Sequence, residues 1–110
     1  MLTREELLAA PFRFEDVTTP RGVVRVRTMS AAARERFEAA MAGERKADLE
    51  SIRAQWVSVC CCDEAGSPLF GQDDVPALAL LDYSIIAPLF TAALRLNGMG
   101  ENAVEEAEKN

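Results

Sequence analysis

Apolar and polar residues alternate in two short segments near the start of the chain. Residues 12 to 15 read Phe-Arg-Phe-Glu, and residues 24 to 27 read Val-Arg-Val-Arg. Alternation with a period of two residues is typical of strands with one buried face. Between the segments, Pro20 and Gly22 are residue types that form tight reversals. The pattern predicts an N-terminal β-hairpin with Gly22 in its turn.

Helical spacing of apolar residues dominates the rest of the first half. Thr3 and Glu6 have the spacing of a capping box, which predicts a short helix over residues 3 to 9. After Ser30, a helix is predicted as far as Gly43, and a second helical segment continues from about residue 44 into three consecutive cysteines. We expect these two helices to form an antiparallel pair on the inner face of the hairpin.

Turn and cap residues divide the second half. Asp63 and Gly66 belong to a predicted turn. Asp73 is the predicted cap of a helix over residues 74 to 81, and a further helix is expected from residue 82 or 84 to residue 96. Gly98 has the position of a left-handed helix stop. Residues 101 to 110 are rich in Ala and Glu and are expected to be the least ordered segment.

These elements predict an α+β fold. We expect residues 1 to 110 to form one mostly helical domain in which the N-terminal β-hairpin packs on about four to five short helices. No segment is long and apolar enough to span a membrane, and the acidic N-terminus lacks the features of a secretory leader. A cytosolic compartment is therefore the expected location.

Charge is unevenly distributed, although the net value is only −6. Residues 1 to 55 carry 10 Lys or Arg and 9 Asp or Glu, whereas residues 56 to 110 carry 2 and 9. Because phosphate contacts require clustered cations, the second half is unsuited to nucleic acid. In the first half, the arginines of residues 24 to 27 are explained by a solvated strand face. We therefore expect no nucleic-acid partner.

Three adjacent cysteines, Cys60, Cys61 and Cys62, raise the question of metal or redox chemistry. Zinc sites separate paired thiols by two or more residues and need a fourth ligand, but the chain has neither a histidine nor a fourth cysteine. The simpler interpretation is a helix end that uses Cys60 as a small apolar residue and leaves at least one thiol exposed. We predict no metal and no cofactor.

Acidic pairs in turns are the remaining candidates for catalysis. Asp63 with Glu64 and Asp73 with Asp74 occupy positions where unpaired backbone N–H groups favour acids, so a structural role explains them. Without a histidine, a phosphate-binding loop or a nucleophile elbow, we predict that the protein is not an enzyme.

Apolar residues of the last long helix are either core or a partner surface. A small helical protein can present such a face to a partner helix. The candidates that we assign to partner binding are Leu89, Ala93, Leu94, Leu96, Asn97 and Val104.

Three segments of the chain carry a resemblance to a known family. Residues 21 to 27 lead into residues 33 to 38, residues 62 to 70 precede Asp73-Asp74-Val75, and residues 93 to 98 precede the acidic residues 103 to 110. These segments resemble the tail assembly chaperone family of long-tailed bacteriophages and prophages. In that family a Val- and Arg-rich strand, a helix, an Asp-Gly turn closing on Leu-Phe and a Leu-Asn-Gly end follow in this order. The resemblance spans residues 21 to 110. The cysteine triplet departs from the family pattern.

The resemblance implies a non-catalytic protein of the host cell cytoplasm that is absent from the mature virion. Family members bind the tape measure protein and keep it soluble while tail tube subunits assemble. A longer form, made by a ribosomal frameshift, recruits the tail tube protein, and this chain corresponds to the short form. A further interaction that we expect is self-association of the chain.

Two alternative functions belong to other classes of protein. One is a structural tail or neck protein, at the head-tail joint, that is retained in the virion. The other is a small cytosolic enzyme, which requires a concave site with convergent titratable groups.

Overall fold

The computed structural model describes the backbone of residues 1 to 42 and 51 to 98, and the side chains of residues 1 to 39 and 51 to 98. A three-stranded antiparallel sheet and short helices confirm the predicted α+β class. The elements, in chain order, are α1 (Arg4–Leu8), β1 (Phe14–Thr19), β2 (Gly22–Arg27), α2 (Ala31–Ala42), α3 (Ile52–Cys60), β3 (Cys61–Cys62), a 3-10 turn (Gln72–Asp74), α4 (Val75–Ala79) and α5 (Tyr83–Leu96).

The N-terminal hairpin forms as predicted. Strands β1 and β2 pair antiparallel from Phe14 opposite Arg27 to Thr19 opposite Gly22. The Thr19 hydroxyl donates to the Gly22 carbonyl over 2.8 Å and accepts from the Arg21 N–H. Gly22 has a φ of +137°, a conformation that residues with a Cβ rarely adopt. The turn chemistry is local, which is why the sequence pattern was sufficient to locate it.

The cysteine triplet does not lie wholly in a helix. Helix α3 ends at Cys60, and the chain then becomes extended, so that Cys61 pairs with Val26 and Cys62 with Arg25 as a third strand. All three side chains are buried, and the prediction that one thiol is exposed was wrong. The physical reason is that the chain leaves α3 after Cys60 and pairs with β2. Cys60 and Cys61 join the core cluster, and Cys62, on the opposite face of the strand, is 3% exposed.

Helix α5 packs along β1 and β2 and also against α3. The expected antiparallel pair of α2 and α3 on the hairpin is therefore replaced by α5 and α3, because α5 carries the longer apolar face. Among its described side chains, α2 buries only Phe37, which meets Trp56 edge to face with ring centroids 4.8 Å apart. The predicted beginning of the second helix near residue 44 lies outside the described residues.

Side-chain hydrogen bonds cap the beginning of α1 and of α5. Thr3 and Glu6 form the predicted capping box of α1. Asp82 caps α5 by accepting from the Ser84 N–H over 2.8 Å, and the Ser84 hydrogen bonds lower the pKa of Asp82. Asp73 does not cap α4, because the chain first makes a 3-10 turn and Asp74 takes the N-cap position. The Asp74 carboxylate makes no cap hydrogen bond to α4 and instead accepts from the Gly71 N–H. Helix α4 is accordingly shorter than predicted.

A single hydrophobic cluster joins the sheet to α3, α4 and α5. Its most buried members include Val26 from β2, Val57 from α3 and Ala93 from α5, each at most 1% exposed. The whole buried set is Val26, Phe37, Ala54, Trp56, Val57, Cys60, Cys61, Val75, Leu78, Ile86, Leu89, Ala92 and Ala93. Most of these residues come from α3 and α5, so the two helices form the centre of the fold.

Candidate functional site

The apolar face of α5 that we assigned to partner binding belongs to the core. Leu89 is 4% exposed and Ala93 is fully buried, while Leu94 and Leu96 are half-buried and pack against the core cluster. A partner reaches Leu89 and Ala93 only if α5 leaves the sheet. Val104 lies outside the described residues. In this structure the α5 face therefore offers little contact surface.

Asn97, also assigned to partner binding, is engaged in internal hydrogen bonds. Its Oδ1 accepts from the Met29 N–H over 2.9 Å, and its Nδ2 donates to the Ala93 carbonyl over 2.8 Å. The same Nδ2 lies 3.6 Å from the Cys60 Sγ. The side chain ties the end of α5 to the segment between β2 and α2 and to α3. Gly98 follows with a φ of +78°, which is the left-handed stop expected from the sequence.

The three thiols have low reactivity. Burial raises the pKa of Cys60 to about 11, an increase that the Asn97 hydrogen bond opposes, and raises the pKa of Cys61 to about 12. Burial also raises the pKa of Cys62. Because the thiolate is the reactive form, these groups are protonated and poor nucleophiles at neutral pH. Cys60 and Cys61 belong to the core cluster, and Cys62 is buried where β3 pairs with β2.

Two strand arginines hold the turn at residues 63 to 66. Arg25 donates to both carboxylate oxygens of Asp16 and to the Glu64 carbonyl, and this pairing lowers the pKa of Asp16. Arg27 donates to the Gly66 carbonyl over 2.8 Å. Their guanidinium groups also lie over the rings of Phe14 and Phe12 respectively. The predicted solvated strand face is therefore wrong: both arginines are partly buried structural ties.

Asp63 and Gly66 make the turn itself. The Asp63 carboxylate accepts from the backbone N–H groups of Ala65 and Ser67, each over 2.9 Å. Gly66 has a φ of +88° and donates its N–H to the Asp63 carbonyl. An acid in this position satisfies backbone donors, which is a structural use of the carboxylate.

Replacement of Gly66 by valine is expected to lower the free energy of unfolding by about 1 to 3 kcal/mol, because a β-branched residue is strained at positive φ. The matched control is Gly71→Val. Gly71 has a φ of −112° and open space where a Cβ would lie, so its replacement should have a much smaller effect. Urea unfolding followed by circular dichroism measures both. Equal losses in the two variants would show that the conformation of Gly66 is not the cause.

No group of three or more His, Cys, Asp or Glu side chains within residues 1 to 39 and 51 to 98 is arranged to hold a metal ion. Asp73 is exposed, and its neighbour Asp74 is used in the 3-10 turn. Within the described part of the chain, no helix is long and apolar enough to cross a membrane.

A groove of about 400 Å³ lies between α2, α3 and the segment from Pro68 to Gln72. Apolar side chains from each of these three parts line it: Ala33, Phe37, Val59, Pro68 and Phe70. Polar residues complete the lining: Arg27, Ser30, Arg36, Gln55, Ser58, Gly71 and Gln72. No Asp or Glu is among the described residues that line it. We refer to it below as the α2–α3 groove.

Sequence reasoning missed this groove because its walls are far apart in the chain. The sequence shows a concentration of arginines that includes Arg27 and Arg36, but strand alternation explains Arg27, and Glu35 and Glu38 dilute the charge around Arg36. One signal was present: α2 has few large apolar residues, which indicates a helix that covers its neighbours incompletely.

Apolar side chains are also exposed near the N-terminus. Leu7 and Leu8 of α1 are 62% and 69% exposed, and Phe12 and Phe14 are about half exposed. No residue of α1 is buried.

The fold was compared with those of solved proteins. The chain matches the structure of the bacteriophage HK97 tail assembly chaperone with a TM-score of 0.58 and 21% sequence identity. It shares that fold. The match covers 84% of this chain and 90% of the HK97 chain, so it includes nearly the whole of both proteins. No protein-family model matches the sequence, and no curated protein matches it.

Proposed function

We propose that this protein is a tail assembly chaperone of a long-tailed bacteriophage or prophage. It is non-catalytic, binds the tape measure protein, keeps it soluble in the host cytoplasm and is absent from the mature virion. The observation that carries the proposal is the similarity of fold to the HK97 tail assembly chaperone over most of both chains. The order of the three sequence segments between residues 21 and 110 supports it independently.

The chemistry of the described surface is compatible with this role. A chaperone for a long apolar helix needs accessible apolar contacts, and the α2–α3 groove and the exposed leucines of α1 supply them. The cysteines are protonated, and Asp63 and Asp74 accept from backbone N–H groups of their own turns, so these candidates for catalysis have structural roles. Recruitment of tail tube subunits by a longer frameshifted form is part of the proposal, as is self-association.

Co-expression with the tape measure protein of the same genome tests the proposal. We expect the tape measure protein to be insoluble alone and to appear in the soluble fraction, bound to this chain, when both are expressed. Sedimentation followed by affinity purification measures both effects. The control is co-expression with an unrelated small acidic protein at the same level.

Two outcomes would contradict the proposal. The first is an unchanged insoluble fraction of the tape measure protein. The second is the presence of this chain in purified virions at the copy number of a ring or tube component, as measured by quantitative mass spectrometry. That result would favour the structural tail or neck protein instead.

A further inference from the structure

The α2–α3 groove has an apolar floor between cationic residues. Phe37 of α2 and Val59 of α3 line it from opposite helices, and Phe70 lines it from the segment that follows β3. Phe37 is fixed by its edge-to-face contact with Trp56, so that wall of the groove rests on the core. Val59 and Phe70 are half-buried, which leaves part of each ring or side chain available to a bound group.

The two arginines of the groove lack acidic partners among the described residues. Arg27 donates from Nη1 to the Gly66 carbonyl and stacks on Phe12, but no carboxylate of the described residues pairs with it. Arg36 is exposed, and no described group pairs with it. Of the other described arginines, some pair with acids: Arg25 with Asp16, Arg34 with Glu38 and Arg95 with Glu15. Arg13 and Arg53 instead contact a backbone carbonyl and aromatic rings. The groove differs in bringing two arginines without a described acidic partner to one apolar surface.

The described lining of the groove is therefore positively charged, in a protein of net charge −6. A helix that enters a groove places apolar residues at spacings of three and four on its floor, and its flanking residues meet the rim. Charge complementarity favours Asp or Glu at those flanking positions, because they would pair with guanidinium groups that have no carboxylate partner among the described residues. Nucleic acid is disfavoured, since its phosphates gain nothing from the aromatic and aliphatic floor.

We propose that the α2–α3 groove binds an amphipathic helix of the partner protein, with its apolar face between Phe37, Val59 and Phe70 and its acidic flank on Arg27 and Arg36. This inference deepens the proposed chaperone function and rests on it for the identity of the partner. It predicts that the bound segments of the partner are those that combine helical apolar spacing with acidic residues.

Two designed helical peptides, about 20 residues long so that a helix can persist, test the groove. Both have the same Leu and Ala face, and they differ only in flanks of Glu or of Lys. Fluorescence anisotropy with the full-length chain is expected to show the Glu peptide binding about tenfold more tightly than the Lys peptide, with the difference decreasing at high salt.

Charge reversal at the rim gives the matched comparison. Arg36→Glu is expected to lower the affinity of the chain for the Glu peptide about tenfold and to raise its affinity for the Lys peptide. Arg21→Glu makes the same change of net charge in the hairpin turn, outside the groove, and should leave both affinities nearly unchanged. Because Arg36 is exposed, its replacement should not disturb folding. Chemical shifts of Ala33, Val59 and Phe70 are expected to change on binding of the Glu peptide.

Several results would overturn the groove assignment. These are no binding of either peptide, equal affinity for both, equal effects of Arg36→Glu and Arg21→Glu, or chemical shift changes confined to other surfaces. Dimerisation of the chain that Arg36→Glu abolishes would also overturn it, because the occupant would then be a second copy.

The experiments distinguish a wrong groove assignment from a wrong chaperone function. If wild type and Arg36→Glu keep the tape measure protein equally soluble, the function stands and the groove assignment is wrong. If wild type fails to keep it soluble while the peptides behave as expected, the groove assignment stands and the proposed partner is wrong.

Discussion

Replacement of Trp56 by alanine is expected to lower the free energy of unfolding by about 3 to 5 kcal/mol. The indole is 3% exposed and lies on α3 at the centre of the core cluster. Its loss removes a large buried apolar surface and leaves a cavity that the surrounding side chains fill only in part. Since small domains are stable by about 5 to 15 kcal/mol, this one change removes a large share of the total.

Part of the stability that Trp56 provides is expected to come from its ring contact with Phe37. In the double-mutant cycle of Trp56→Ala and Phe37→Ala, the coupling energy is expected to be about 0.5 to 1.5 kcal/mol. The conservative control Trp56→Phe keeps an aromatic ring and should lose much less stability than alanine. Urea unfolding followed by circular dichroism measures all variants. A loss below about 1 kcal/mol for Trp56→Ala, the size of an ordinary substitution, would contradict the burial of this side chain.

The second large effect is expected at Asn97. Alanine in its place removes the acceptor of the Met29 N–H and the donor to the Ala93 carbonyl. Leaving a partly buried backbone donor without a partner costs about 1 to 3 kcal/mol. Amide hydrogen exchange adds a local measurement, because the Met29 N–H should exchange faster in the variant than in the wild type.

A surface amide provides the control for Asn97. Gln72 is exposed, so Gln72→Ala is expected to change stability by less than about 0.5 kcal/mol. If Asn97→Ala is as mild as this control and exchange at Met29 is unchanged, the hydrogen bonds of Asn97 do not hold the end of α5 to the segment between β2 and α2. The side chain would then be available to a partner, as first expected from the sequence.

Local hydrogen bonding explains which elements the sequence predicts well. The Thr3 capping box, the hairpin turn and the Asp82 cap each use groups within four residues of one another. Residue types and spacings alone therefore specify them. The α+β class follows from the same patterns, since periods of two and of three to four residues are visible in the chain.

Partners distant in the chain explain what the sequence does not show. Asn97 meets Met29 across 68 residues, and Arg13 donates to the Leu96 carbonyl across 83. The pattern of an apolar α5 face is the same whether a partner or the protein's own sheet covers it. Only the packing of α5 on β1 and β2 shows that its face is core and that candidate contacts lie elsewhere.

The cysteine triplet also separates what the sequence predicts from what only the tertiary structure decides. The ligand number and spacing in the sequence by itself argue against a zinc site, and the apolar spacing predicts a helical segment that runs into the cysteines. Only the tertiary structure decided that Cys61 and Cys62 form a strand on β2 and that all three thiols are buried. Strand pairing depends on a neighbour supplied by residues 22 to 27, and no local pattern around the cysteines contains that neighbour.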